Sequence, residues 1–281
     1  MSLTINTNIA SIDAQRNLSA SQSSLATSMQ RLSSGLRVNS AKDDAAGLAI
    51  AQRMEAQVRG MNVAVRNAND GISLAQTADG ALAQVSDSLQ RMRELAVQSR
   101  NATNNSSDKD SLNKEFGQLQ QEITRVLGGT TFNGKHILGV DATAMTFQIG
   151  ANTSADDTIT ISTNNMTTDT NITAITGTTA SIGAAATEGA IGSVIDNIDN
   201  AINDVNDTRA TFGATESRFD AIIANLQTAV ENQSAAQSRI MDADFAAETA
   251  NMSRAQVLQQ AGTAMVAQAN QLPQQVLTLL R

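Results

Sequence analysis

The chain has 281 residues, a net charge of −8, no Cys, Trp or Tyr, one Pro (Pro273) and one His (His136). Disulfides and thiolate metal sites are therefore excluded. With aromatics at only 2 %, Ala, Leu, Ile and Val must fill the core, which suits long helices packed side by side. Between Lys135 and Arg209 there is no basic residue but nine acids: Asp141, Asp156, Asp157, Asp169, Glu188, Asp196, Asp199, Asp204 and Asp207. No basic stripe lies elsewhere, so nucleic acid is not an expected partner. The opening MSLTINTNIA lacks a basic n-region and an apolar h-region, so no cleavable secretory signal is expected.

A first helix is predicted over about Thr4 to Leu32, with Leu18, Leu25, Met29 and Leu32 on one face. Gly35 suits the left-handed position that ends it. Ser40 reads as the next N-cap with Asp43 three residues on, and Asp43 and Asp44 suit the positive end of the following helix. That second helix carries a long seam. Val58, Met61, Val65, Ala68, Ile72, Ala75, Asp79, Leu82, Ser86, Leu89, Met92 and Ala96 step by three and four, a heptad pattern interrupted at Asp79 and Ser86. At 1.5 Å per residue the seam is about 57 Å long. Ser107 and Asp110 read as a second cap. Leu112, Phe116, Leu119, Ile123 and Val126 then mark a shorter helix ending at Gly128-Gly129.

Asn133-Gly134 is a hairpin signal. Thr146–Ile149 and Thr158–Ile161 alternate with period two, as strands do. Residues 163–189 read as surface loop or irregular β. A second seam follows: Ile191, Ile195, Ile198, Ile202, Val205, Arg209, Phe212, Glu216, Phe219, Ile223, Leu226 and Val230. Its charge at Arg209 is expected to pair with Glu216 or with Asp79. Met241-Asp242-Ala243-Asp244 breaks the pattern before a last helix. The fold class is therefore mainly α: a long antiparallel helical rod with a small β-hairpin region at its far end.

The two chain ends stand apart from the rest. Residues 255–280 contain no charged side chain, and residues 1–30 only Asp13 and Arg16. Leu258, Ala261, Met265, Gln268 and Leu272 form a helical stripe, with Leu277 and Leu280 beyond it. The run is too polar to span a bilayer, and it lacks the Lys/Arg face that draws a helix to anionic lipid. Such ends read as surfaces buried against other copies of the chain.

The candidates for chemistry are few. His136 has no second His nearby and reads as a hairpin side chain. Adjacent residues on a helix do not face each other, so Asp43-Asp44 and Asp156-Asp157 are not paired catalytic carboxylates. The ten Met read as packing filler. No catalytic, cofactor or metal site is expected. On the second helix Arg91, Leu95 and Gln98 line a face separate from the seam. Leu95, ringed by Arg91, Glu94 and Gln98, reads either as an exposed partner-binding spot or as an ordinary exposed leucine.

Three stretches resemble bacterial flagellin: SSGLRVNSAKDDAAGLAI at Ser33–Ile50, LQRMRELAVQ at Leu89–Gln98, and RIMDADFAAETANMSRAQVLQQAGTAMVAQANQLPQQVLTLL at Arg239–Leu280. The likeness covers roughly residues 1–140 and 190–281. It implies a terminal coiled-coil domain forming the filament core (1–42 and 238–281), a helical rod domain (43–140 and 188–237) and a reduced β/loop outer region (141–187). The polymerising ends would include Leu18, Leu25, Leu32, Leu258, Met265, Leu272, Leu277 and Leu280.

The resemblance also implies a subunit secreted by type III export, polymerising into an extracellular filament for motility. Its partners would be other copies of itself, an export chaperone, the cap protein, hook–filament junction proteins and a host Toll-like receptor, with no membrane insertion. The receptor motif, a face also expected to pack against a neighbouring subunit in the filament, falls on Gln90, Arg91, Leu95 and Glu115. The alternative is a hook–filament junction protein or another type III exported helical assembly protein. An enzyme carried on such a frame would need an inserted domain, for which the short middle has no room.

Overall fold

A computed structural model of the chain describes residues 7–279, with side chains to residue 271. The fold is mainly α. Its helices are α1 (Ile9–Ser34), α2 (Ala45–Ser99), α3 (Ser106–Gly129), α4 (Thr170–Thr176), α5 (Glu188–Met241) and α6 (Phe245–Leu279). Two small antiparallel pairs complete it: β1 (Thr131–Phe132) with β2 (Lys135–His136), and β3 (Ala144–Gln148) with β4 (Thr158–Ser162). Two compact units form, residues 1–56 with 231–281 and residues 57–230.

In the first unit, α1 begins where the Asn8 side chain accepts from the Ser11 N–H at 3.1 Å. It ends at Gly35, whose φ of 73° is the left-handed conformation that glycine adopts without strain. The expected start at Thr4 lies outside the described residues. Capping of α2 differs from the sequence reading. Asp43 does not belong to the helix start: its carboxylate closes the Asn39–Ser40 turn, accepting from Asn39 N, Ser40 N and Ser40 Oγ. Asp44 is the cap, accepting from Gly47 N at 2.8 Å. The cause is one spare acid, with the second taking the N3 contact.

The segment after α1 is stitched to the segment before α6. Arg37 N and Val38 N both donate to Met241 O, at 2.7 and 3.4 Å, and Ala243 N donates to Gly35 O at 2.9 Å. The Arg37 guanidinium caps the end of α5 at Ile240 O, 2.8 Å away. Asp244 then starts α6, accepting from Ala246 N and Ala247 N.

In the second unit, α2 and α5 run antiparallel, since Asp79 meets Arg209 while Arg93 meets Asp199. Both seams predicted from sequence bury their central apolar members, Leu82, Leu89 and Met92 on α2 and Ile191, Ile198, Val205, Phe212 and Phe219 on α5, while Val58, Met61, Leu226 and Val230 toward the other end are half-buried. Asn105 caps α3 in a reciprocal capping box with Asp108, displacing the expected Ser107/Asp110 pair two residues toward the N-terminus. At its other end α3 runs through both glycines before Thr130 turns extended.

Asn133 (φ 49°) and Gly134 (φ 80°) make a two-residue turn with both positions left-handed, as a type I′ hairpin requires. In the larger pair, Met145 faces Ile161 and Phe147 faces Ile159 on the inner side. The Thr146 and Thr160 hydroxyls meet on the outer side. This hairpin lies against α2 and α5. Asn67 Nδ2 donates to Gln148 O, Phe147 stacks edge-on against Phe219 with ring centroids 5.7 Å apart, and Phe219 presses on α2 at Gly71. A Cβ on Gly71 would lie 2.6 Å from the Phe219 ring.

Residues 163–187 are not a surface loop. They contain α4 and bury Met166, Ile172, Ile175 and Ile182. Their backbone is held by polar side chains of α2 and α3: Asn113 accepts from Ile182 N, Gln120 donates to Ile175 O and Ala180 O, and Ser99 donates to Ile182 O. Side-chain hydrogen bonds here replace a regular ladder, which is why no periodic pattern announced the segment. Residues 141–187 fall within the second unit.

Candidate assembly and recognition surfaces

The α1–α6 pair is antiparallel. Asn8 donates to Ala269 O, Ser11 bonds Asn270, Leu18 lies over Gly262, and Arg31 approaches Glu248 at 3.7 Å. The buried and half-buried residues of α1 are Ser11, Ala14, Leu18, Ser21, Leu25, Ser28 and Leu32, with Arg31 beside them. Those of α6 are Glu248, Met252, Ala255, Gln259, Gly262, Val266 and Ala269. Both sets step by three and four, but most members are small or polar. Leu18, Leu25 and Leu32 are only half-buried. The Arg31 Nε is buried without a hydrogen-bond partner, a cost that weakens the seam further.

The apolar stripe predicted on α6 points elsewhere. Leu258 is 51 % and Met265 62 % exposed. On α1, Met29 leaves the predicted face and is 56 % exposed, because the seam turns onto Ser28 and Leu32. Ile9, Ile12 and Val257 are exposed too. Each helix thus has one face spent on its partner and a second apolar face uncovered by this chain. The side chains of Leu272 and Leu277, and all of Leu280, lie outside the described residues.

The second candidate surface is on α2 and α3. Arg91 is a fork: Nε donates to Glu115 Oε1 and Nη1 to Glu94 Oε2, both at 2.8 Å, with the Arg91 and Glu115 side chains about half exposed and Glu94 67 % exposed. The Glu115 hydrogen bond first, then that of Glu94, holds the Arg91 guanidinium more basic than usual. Gln90 is exposed beside it. Leu95 is not exposed: it is a core residue at 1 %. The reason is a second heptad stripe on α2 that the sequence reading overlooked. Leu74, Ala78, Ala81, Val85, Ser88, Met92, Leu95 and Ser99 are all buried or half-buried, so α2 packs on two sides. The residues that carry this stripe were visible; the expectation of a single seam hid them.

The predicted charge at Arg209 finds Asp79, not Glu216, with Nε 2.8 Å from Oδ1. The side chains remain 36 % and 40 % exposed, so the pair is not a buried one. His136 is a hairpin residue, its Nδ1 2.6 Å from Gly128 O. Among the described residues no cluster of three or more His, Asp or Glu is placed to hold a metal ion. Among them also, no helix is long and apolar enough to cross a membrane.

These features coincide with a known family. The bacterial flagellin N-terminal helical region matches residues 5–143, and the C-terminal helical region matches residues 195–280. A flagellin of Xenorhabdus nematophila is 43 % identical over a 315-residue alignment covering all of both chains. One of Halalkalibacterium halodurans is 44 % identical over 277 residues, covering 99 % of each. A solved Vibrio parahaemolyticus structure, described as a flagellar hook-associated protein, covers 71 % of this chain and all of its own at a TM-score of 0.57. At 12 % identity it speaks for the fold alone. The chain belongs to the bacterial flagellin family and is a structural subunit of the flagellar filament.

Proposed function

We propose that the filament is held together through the uncovered apolar faces of α1 and α6, each met by another copy of this chain. The observation that carries the reading is Leu258 and Met265, exposed one heptad apart on a helix already paired through another face. Covering what remains exposed of Leu258 (51 %) and Met265 (62 %) stabilises a contact by about 1–1.5 kcal/mol each. The test is a chain carrying Leu258→Ser and Met265→Ser. The expected result is a second unit that melts as in the parent and a chain that no longer elongates seeds. Normal elongation would refute the assignment. Export by the flagellar type III route, with a chaperone inside the cell and cap and junction proteins outside, belongs to the same reading.

We further propose that the monomer is recognised by a Toll-like receptor through Gln90, Arg91 and Glu115. Leu95 supports them from the core and does not touch the receptor. A charged fork on a rigid helix is suited to dominate such an interface. Arg91→Ala is expected to weaken signalling by about 1–3 kcal/mol with an unchanged melting temperature. Parent-like signalling by that variant would remove the receptor from this surface.

A further inference from the structure

Methionine exposure divides sharply along this chain. Met92 and Met166 are buried, and Met54, Met61, Met145, Met241 and Met252 are partly covered. Met29 and Met265 stand out at 56 % and 62 % exposed. Both lie in the α1–α6 unit, off the seam, on the faces assigned above to neighbouring copies. From the exposed face of α6 that Met265 shares with Leu258, we infer that Met265, together with Met29, is an oxidation site through which hydrogen peroxide blocks assembly. The inference rests on that assignment.

The chemistry is a two-electron oxygen transfer. A thioether lone pair attacks one peroxide oxygen; an S–O bond forms and the O–O bond breaks. The transferred oxygen gives its proton to the departing hydroxide, which leaves as water. Sulfur is oxidised and peroxide reduced. The product sulfoxide is polar and a strong acceptor. No charged side chain lies between Ala255 and Leu280 to meet it. Covering the sulfoxide with another apolar face leaves a buried polar group short of partners. The coupling runs both ways: oxidation opposes assembly, and assembly shields the sulfur.

The experiment treats free chain and preformed filaments with dilute hydrogen peroxide, then digests them with trypsin. Asn17–Arg31 and Ala255–Arg281 each contain one methionine, so each site is read separately. In the free chain both peptides are expected to gain one oxygen before Met92 or Met166 is touched. In filaments the gain at Met265 is expected to slow on the order of tenfold. Oxidised chain should elongate seeds on the order of tenfold more slowly. Methionine sulfoxide reductase should restore the rate, and a Met29→Leu, Met265→Leu chain should be indifferent to peroxide. Parent-rate elongation by fully oxidised chain overturns the inference while the assembly assignment stands. Failure of reductase to restore the rate also overturns it. If unoxidised parent does not elongate at all, the assembly assignment falls and this falls with it.

Discussion

The two units of this molecule spend their apolar residues differently. The largest fully buried side chains, among them Phe116, Phe212, Phe219, Leu82, Leu95 and Ile123, all belong to the second unit. The first unit buries mainly Val38, Ala51, Ala255 and Ala269, while Ile9, Met29, Phe245, Leu258 and Met265 stay exposed. One unit therefore completes its core within a single chain. The other keeps comparable side chains in reserve, and its helices meet largely through small and polar residues, with Leu18, Leu25 and Leu32 only half-buried among them. A large apolar side chain left uncovered marks an interaction surface when neighbouring residues of the same helix are already satisfied.

The contrast can be attacked first where it is strongest. Phe116→Ala should destabilise the second unit by about 3–5 kcal/mol, read by denaturant unfolding. A loss under 1 kcal/mol would mean that its core is not close-packed. Gly71→Ala is expected to cost about 1–3 kcal/mol, because the new methyl must push the Phe219 ring away from Phe147. Thermal melts check this, and a neutral result would show that the ring has room to move.

Smaller effects sharpen the comparison from the other side. Leu25→Ala, on the half-buried seam of the first unit, should raise amide exchange in α1 and α6 by about 1 kcal/mol or less, without changing exchange in α3. A double-mutant cycle on Asp79 and Arg209 should give a coupling of only about 0.2–1 kcal/mol, since both side chains are more than one-third exposed. A coupling of several kcal/mol would mean that the pair is dry.

The smallest effect is a pH response at Asp43. The Ser40 hydroxyl, then the Ser40 and Asn39 amides, hold its carboxyl below the ordinary value of 3.8. A depressed folded value means that stabilisation is present above the unfolded value and is lost as pH falls through the folded one, below 3.8. Asp43→Asn should remove that acid-side loss from amide exchange at residues 39–43.

Much of this was legible in the sequence because heptad spacing is a direct projection of helix packing. Both long seams, the type I′ turn at Asn133-Gly134 and the β3–β4 alternation were readable from residue type and spacing alone. Three features were not. Leu95 was misassigned because a helix packed on two sides carries two overlapping stripes that share Met92, and one stripe satisfies the eye. The 163–187 segment has no period because Asn113 and Gln120 supply its hydrogen bonds from another element. The caps moved four residues, from Ser40 to Asp44, and two residues, from Ser107 to Asn105, because several capping oxygens lie close together in each stretch.

The crossed hydrogen bonds near Gly35 and Met241 have a mechanical consequence. Both interruptions in the helical path occur at one level, and each strand accepts from the other: Met241 O takes two amides and Gly35 O takes one. A pull or twist entering through α1 is therefore divided with the adjoining strand before it reaches α2. The same holds for a load entering through α6 on its way to α5. Arg37, reaching across to Ile240 O, keeps the two breaks from yielding separately. The two breaks in the helical path of this filament subunit therefore sit side by side, bonded to each other across the gap.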